Sequence, residues 1–371
     1  MVHRNDRQSL MLKIINVVGA RPNFMKVAPI VEAMKQRERE FTPLLVHTGQ
    51  HYDADMSDAF FRDLDLPAPD IHLGVGSAPR DQQIAAVEER FAPVIRRDKP
   101  DWVIVVGDVN STLACARVGK KLGVRVAHVE AGLRSYDPTM PEEANRVETD
   151  RIADLLFTPS ADADENLRAE GIAPERIRFV GNVMIDSLYR HLERSRLSPI
   201  RDQLGLTEKS YAVLTLHRPA NVDDPIVFGR ILAALDAITK KLPVVFPVHP
   251  RTRKTISGLG LSEQIEKLKG LQLIEPLGYL DFLSLYSGAR LVLTDSGGIQ
   301  EETTQLGIRC LTLRENTERP ITVTMGTNKV VGTDPARIIA AASAALAETP
   351  REPVSIPLWD GHTAERILAA L

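Results

Sequence analysis

Ala289-Arg290-Leu291-Val292-Leu293-Thr294-Asp295-Ser296-Gly297-Gly298-Ile299-Gln300-Glu301-Glu302 combines an apolar run, a glycine turn and a polar helix start. The run from Ala289 to Leu293 has the length and apolar content of a buried strand. Ser296-Gly297-Gly298 turns the chain into a helix that runs to about Gly307. Two glycines let a ligand approach the backbone closely. The new helix offers unpaired N–H groups and the positive end of its dipole, a seat suited to a diphosphate. Glu302, about one turn further in, is placed to accept hydrogen bonds from ribose hydroxyls. The same stretch also fits a plain strand–helix turn with solvated carboxylates, and the rest of the chain has to decide between the two.

Working outward, strand-like apolar runs alternate with helical patterns throughout, which predicts parallel sheets joined by right-handed crossovers. The expected strands of the first half are Leu12–Val18, Pro43–His47, Trp102–Val106, Val124–Val129, Leu155–Thr158 and Ile177–Val180. Those of the second are Tyr211–Leu216, Pro243–Val248, Leu271–Glu275, Arg290–Thr294 and Arg309–Leu313, with a short one at Lys329–Val331. The fold class is therefore α/β, with two doubly wound Rossmann-like domains facing a cleft, at 11–182 and 183–358. Residues 1–10, mostly polar and charged, read as a loose leader. A last helix within 359–371 is expected to pack back on the first domain.

A length of 371 residues agrees with two domains. With 43% hydrophobic residues, 26% charged residues and a net charge of −3, nothing calls for nucleic acid or an anionic membrane as partner. No run approaches the roughly 18 apolar residues of a membrane span, and the first ten residues lack a signal-peptide core. A cytoplasmic protein is expected. Cys115 and Cys310 sit in apolar surroundings and read as small buried hydrophobes. No histidine–cysteine spacing fits zinc, and no metal is expected.

In open α/β sheets, ligands bind outside the carboxyl ends of the strands. Arg21, Gln50, Asp108, Glu130, His217, His249 and Ser296 all fall just after expected strands. Each has an ordinary reading: a helix N-cap for Asp108, a loop histidine for His217 and His249, a charged helix face for Arg21 and Lys26. Those readings do not predict that such residues from both halves gather on one edge. Other signals fall away. Gly74-Val75-Gly76 begins a dinucleotide-type pattern, but Pro79 stands in place of the third glycine. Gly119-Lys120-Lys121 lacks the upstream glycine and the hydroxyl of a phosphate loop, and no Gly-x-Ser-x-Gly elbow occurs. Arg218 and the late Glu318-Arg319-Pro320 add cations near the anion seat. The inventory suits a nucleoside diphosphate on the second domain, with the rest of the ligand toward the carboxylates of the first.

The motifs now carry a resemblance. They are Gly19-Ala20-Arg21-Pro22, Gln50-His51, Gly107-Asp108, His128-Val129-Glu130-Ala131-Gly132-Leu133-Arg134, Pro141-Glu142-Glu143-Ala144-Asn145-Arg146, Gly181-Asn182, His217-Arg218, Asp295-Ser296-Gly297-Gly298 through Glu301-Glu302, and Thr317-Glu318-Arg319-Pro320. In this order and spacing the chain resembles the non-hydrolysing UDP-N-acetylglucosamine 2-epimerases over essentially its whole length after the leader. The resemblance implies the two-domain GT-B fold, a homodimer, and a UDP-sugar substrate with no cofactor. It implies loss of UDP and the carbon-2 proton to form a glycal, then re-addition with the opposite configuration, giving UDP-N-acetylmannosamine for cell-surface polysaccharide. By position, Asp108, Glu130 and Glu142 resemble the catalytic carboxylates and His217 the catalytic histidine. Arg21, Lys26, Ser296, Gly297, Gly298 and Arg319 would hold the diphosphate and its surroundings, with Arg146 and Asn182 also among the binding residues. Glu302 would take the ribose, and Phe282 would lie against uracil or be a core residue of an amphipathic helix.

The chain departs from the commonest pattern at Asn23, at Pro219-Ala220 and at Ile321. Some of these places help form a second, activating site in bacterial members; Gln50, His51 and His249 of that site are present. Competing readings are a 2-epimerase of a UDP-2,3-diacetamido uronic acid, a hydrolysing epimerase, a retaining glycosyltransferase, and a UDP-sugar-binding regulator without turnover.

Overall fold

The computed structural model describes residues 11–49, 68–349 and 353–371. The chain divides into two compact units. The first takes its residues up to Ser187 together with Asp360–Leu371, and the second spans Leu188–Trp359.

In the first unit the strands are β1 (Leu12–Val18), β2 (Phe41–His47), β3 (Ile71–His72), β4 (Trp102–Val106), β5 (Arg125–Val129), β6 (Leu155–Thr158) and β7 (Ile177–Phe179). Among the described residues they form one seven-stranded sheet in the order β3-β2-β1-β4-β5-β6-β7, parallel throughout. The central strands are continuous apolar runs because helices cover both faces; all five residues of β4 are buried. The crossovers include α1 (Arg21–Lys35), α2 (Arg80–Asp98), α3 (Asn110–Lys121), α4 (Pro141–Ile152) and α5 (Ala161–Ala169); α6 (Val183–Ser195) follows β7 and begins in this unit. Ile84, Val87, Phe91 and Val94 of α2 pack with Leu113 and Val118 of α3 in the core beside the sheet.

In the second unit β8 (Ala212–Thr215), β9 (Val244–Pro247), β10 (Leu271–Ile274), β11 (Leu291–Thr294), β12 (Arg309–Thr312) and β13 (Asn328–Val330) form a sheet in the order β10-β9-β8-β11-β12-β13. It too is parallel. Its helices include α7 (Pro219–Val222), α8 (Pro225–Thr239), α9 (Pro250–Gly258), α10 (Tyr279–Ser287), α11 (Gly297–Gln305), α12 (Ile321–Thr324) and α13 (Pro335–Ala347). Phe228, Ile231, Leu232 and Leu235 of α8 share a core with Ile338, Ala341 and Ala342 of α13. The last helix, α14 (Thr363–Ala370), belongs to the first unit and packs on α1. The Asp186 carboxylate accepts a 2.7 Å hydrogen bond from Ala364 N at its start.

Both sheets have the doubly wound order, and the reading of two Rossmann-like α/β domains holds. Strand β3 escaped the sequence reading because two residues are too short to show a period. Among the described residues, no helix is long and apolar enough to cross a membrane.

Candidate active site

In a doubly wound sheet the chain leaves in opposite directions from the two strands on either side of the central crevice. In the first unit those strands are β1 and β4, and in the second β8 and β11. Among the described residues, Arg21, Asp108, Glu130, His217, His249 and Ser296 follow the carboxyl ends of these strands or of the strands beside them.

After β1, Asn23 organises the turn into α1. Its Oδ1 accepts from Gly19 N and Ala20 N, both at 3.0 Å, and its Nδ2 donates to Val106 O at the end of β4, 3.2 Å away. The amide thus ties the two strands flanking the crevice and satisfies N–H groups that the helix leaves free. Arg21 opens α1. Lys26, one turn in, is buried and places Nζ 2.5 Å from Glu130 Oε2, with side-chain exposures of 7% and 4%. Gly107 makes room for this cation: its φ is +65°, and a Cβ there would stand 2.9 Å from Lys26 Nζ. Glu130, at the end of β5, also has positive φ, +68°. A non-glycine residue held there is strained, a condition concentrated at functional sites.

Asp108 is not the N-cap of α3, which is Val109. Its carboxylate instead pairs with the guanidinium of Arg146 on α4. Arg146 is buried and reaches Glu143 Oε2 at 2.5 Å with its other arm. Glu143 in turn accepts from Ser135 Oγ at 2.8 Å and from the N–H groups of Ser135 and Tyr136. Asn145 Nδ2 donates 3.0 Å to Asp108 O. The face of α4 thereby clamps the Asp108 loop. Beneath it, His128 bridges Asp150 Oδ1 at 2.6 Å and Gly107 O at 2.8 Å. Burial pushes the Asp150 carboxyl up, but His128 and Arg134 outweigh it and hold the group below its usual value. Glu142 differs from its neighbours. It sits half-buried in the first turn of α4 and makes no hydrogen bond or ion pair among the described residues.

In the second unit Asp295 follows β11 and is fully buried. Its carboxylate accepts from His217 N at 3.1 Å, Arg218 N at 2.9 Å and Asn221 Nδ2 at 3.1 Å, all on the turn after β8. It also meets the His217 ring, Nδ1 to Oδ1 at 2.8 Å, while that ring stays 52% exposed. Burial pushes the Asp295 carboxyl up, but the His217 ring and the backbone donors hold it below its usual value.

Ser296 lies at the start of α11, whose first residues are Gly297 and Gly298. A Cβ on Gly297 would run into the guanidinium of Arg319, so glycine lets that cation lie over the helix start. Arg319 is buried between Glu301, at 2.9 Å, and Glu318, at 2.6 Å. Glu318 also receives Arg314 at 2.7 Å and Arg218 at 3.5 Å. Burial alone would raise the Glu318 carboxyl, and the three guanidiniums drive it well below its usual value. Gln300 locks the loop to the helix, accepting from Thr317 Oγ1 at 2.6 Å and from Asn328 Nδ2 at 3.0 Å. The cluster holds three cations and two carboxylates, Glu318 and Glu301, with Arg319 against the start of α11, an arrangement able to seat an anion.

Glu302 is buried beside Tyr279, whose hydroxyl donates to Oε1 at 3.0 Å. Burial raises its carboxyl to about 7 against the hydrogen bonds of Tyr286 and Tyr279. Phe282 on α10 is half-buried with its ring edge-on to Tyr286. Asn182 is buried and caps the start of α6, its Oδ1 accepting from Met184 N at 2.9 Å. His249 is exposed just ahead of α9. Gln50 and His51 lie outside the described residues.

The structure thus brings Lys26 and Glu130 together, Asp108 and Arg146 together, and Ser296, Gly297, Gly298 and Arg319 together. Sequence reasoning did not single out Asp295, Glu318, Glu143 or Asn23 as site-building residues. Their signal is burial of a carboxylate or amide beside several donors, and burial is a tertiary property.

The family profile for UDP-N-acetylglucosamine 2-epimerase matches residues 32–371. A protein of Methanococcus maripaludis described as a UDP-N-acetylglucosamine 2-epimerase homolog is 43% identical over 88% of this chain and 91% of its own length. The UDP-2,3-diacetamido-2,3-dideoxy-D-glucuronate 2-epimerase of Pseudomonas aeruginosa is 41% identical over 91% of this chain and 93% of its own. The crystal structure of Methanocaldococcus jannaschii UDP-GlcNAc 2-epimerase in complex with UDP-GlcNAc and UDP superposes with a TM-score of 0.90 at 38% identity, covering 96% of this chain and 99% of that one.

Proposed function

The chain belongs to the UDP-N-acetylglucosamine 2-epimerase family, and on that premise we propose that it interconverts UDP-N-acetylglucosamine and UDP-N-acetylmannosamine without releasing free sugar. The product is a sugar nucleotide of the kind used in polysaccharide assembly. In the forward direction the carbon-2 proton passes to a base and the bond from carbon 1 to the diphosphate oxygen breaks, leaving UDP and a glycal. UDP then re-adds at carbon 1 while a proton reaches carbon 2 from the opposite face.

The observation that carries the reading is the division of labour among three carboxylates. Glu130 and Asp108 are each tied to a buried cation, Lys26 and Arg146, whereas Glu142 has no hydrogen bond or ion pair among the described residues. Carbon 2 is weakly acidic, so a positioned base has to act as the diphosphate departs. Glu142, with its oxygens uncommitted, takes that proton. The opposite face needs a second proton-handling group, and Asp108 and Glu130 are the carboxylates left for it. In the second unit Arg319, Arg218 and the start of α11 take the diphosphate as its charge grows, and His217 moves a proton at the leaving oxygen. Glu302 and Phe282 serve the nucleoside. Asn182, Lys26 and Arg146 act in the first unit, the last two by holding Glu130 and Asp108. The working assembly is a homodimer in the cytoplasm.

Proton NMR of the purified protein with UDP-N-acetylglucosamine in deuterated water tests this reading. UDP-N-acetylmannosamine with deuterium at carbon 2 is the expected product. Accumulation of free UDP and N-acetylmannosamine identifies a hydrolysing enzyme instead. The Pseudomonas aeruginosa relative favours a second reading, a UDP-2,3-diacetamido uronic acid as substrate; exchange with that compound alone would replace the first.

A further inference from the structure

The Asp295 carboxylate is enclosed by four donors and has none of its own. Strands β8 and β11 are neighbours, with Thr215 paired to Thr294, so the residues that follow them meet at the central crevice. Three of the donors are fixed N–H groups: His217 N, Arg218 N and Asn221 Nδ2. The fourth is ring nitrogen Nδ1 of His217, 2.8 Å from Oδ1. An ionised carboxylate only accepts hydrogen bonds, so Nδ1 has to carry the proton. Nε2 has no partner among the described residues, on a ring that is half exposed.

Stapling the turn would not by itself demand a carboxylate. In the first unit an amide, Asn23, performs the equivalent task with two backbone donors and one backbone acceptor. What distinguishes Asp295 is the ring contact. Resting on the reading that His217 moves a proton at the leaving diphosphate, we infer that Asp295 is a positioning residue that fixes the His217 tautomer and leaves Nε2 as the nitrogen that meets the substrate. A partner at one ring nitrogen determines which face of imidazole is available at the other. Asparagine at 295 would present an amide N–H to Nδ1 and drive the proton to Nε2, the wrong atom.

The test begins on the unaltered protein. The ring ¹⁵N signals of His217 at alkaline pH are expected to show the proton on Nδ1; a neutral ring protonated on Nε2 overturns the inference. Asp295→Asn is expected to lower kcat by about 10²–10⁴-fold, with UDP affinity within about threefold. In a His217→Ala background the same change is expected to alter kcat by less than about threefold, because a residue acting through another has nothing left to position. Equal losses in both backgrounds show a purely structural role and overturn it. Full epimerisation by His217→Ala overturns the reading of His217 itself, and with it any catalytic use of the contact. Loss in His217→Ala with an Nε2-protonated ring in the parent overturns the Asp295 inference alone.

Discussion

The turn after the first strand of each unit is stapled to the strand beside it, by an amide in one case and a carboxylate in the other. Asn23 joins the turn after β1 to β4, and Asp295 joins β11 to the turn after β8. The contrast extends outward. In the first unit buried cations hold carboxylates in place, Lys26 on Glu130 and Arg146 on Asp108. In the second, the buried carboxylate of Glu318 gathers the cations Arg218, Arg314 and Arg319, and that of Asp295 holds the His217 ring. The same strand order therefore supports opposite chemistry. The strand ends of the first unit present oriented carboxylates, and those of the second present oriented cations. The lesson is that the fold supplies the edge, and a few buried counter-charges decide what the edge does.

The comparison breaks most visibly if the unpaired carboxylate is dispensable. Glu142→Gln is expected to cost about 10²–10⁴-fold in epimerisation, followed by NMR of product formation, with calorimetric UDP affinity nearly unchanged. A variant that turns over at the parent rate would show that the proton is handled elsewhere.

Buried counter-charges come next. Glu318→Gln leaves three guanidiniums without their shared anion, and Lys26→Met leaves Glu130 without its cation. Breaking such buried pairs costs about 3–5 kcal/mol in each unit, read by chemical denaturation. Saturating UDP should narrow the deficit of Glu318→Gln, because the diphosphate returns negative charge to the seat and binds only the folded state. It should restore Lys26→Met far less. Equal rescue of both would erase the distinction between the units.

A pH effect of similar or smaller size belongs to the second unit. Glu302 is raised to about 7 in the folded protein from an ordinary value of about 4.3. Between those values the folded state binds the extra proton, so its stabilising contribution is complete below about 4.3 and is lost as pH rises through about 7. The total is about 4 kcal/mol. Denaturation midpoints across this range should flatten in Glu302→Gln relative to the parent; an unchanged slope would locate the titration elsewhere.

The smallest effect expected is Asn23→Ala. It removes one acceptor for two N–H groups and one donor, at a cost of about 1–2 kcal/mol in stability. A much larger loss would mean that the amide staple matters as much as the charged one.

Much of the architecture was legible in advance. Buried parallel strands are short continuous apolar runs bounded by turn residues, so β1, β4 and β6 appear at the expected bounds. The two-residue β3 was not, since nothing periodic fits in two residues. The order and spacing of the motifs identified the family. The ordinary reading of Asp108 as an N-cap did not survive, because α3 starts one residue later than that role requires and Arg146 takes the side chain.

Which residues stand at strand ends follows from the amino-acid order alone, because strand length and turn chemistry are local and repeat along the chain. The same order also determined the family, because no single motif but their succession is specific. Which of those residues are committed emerges from packing in three dimensions. Glu142 and Glu143 are adjacent and chemically alike, yet among the described residues one is unpaired and the other is spent on Arg146 and the Ser135 loop. Asp295 and Glu302 lie seven residues apart in one motif, yet donors hold one carboxyl low and burial raises the other. Charge state and commitment depend on what surrounds a group in space, and neighbours brought from distant strands leave no mark in the local sequence.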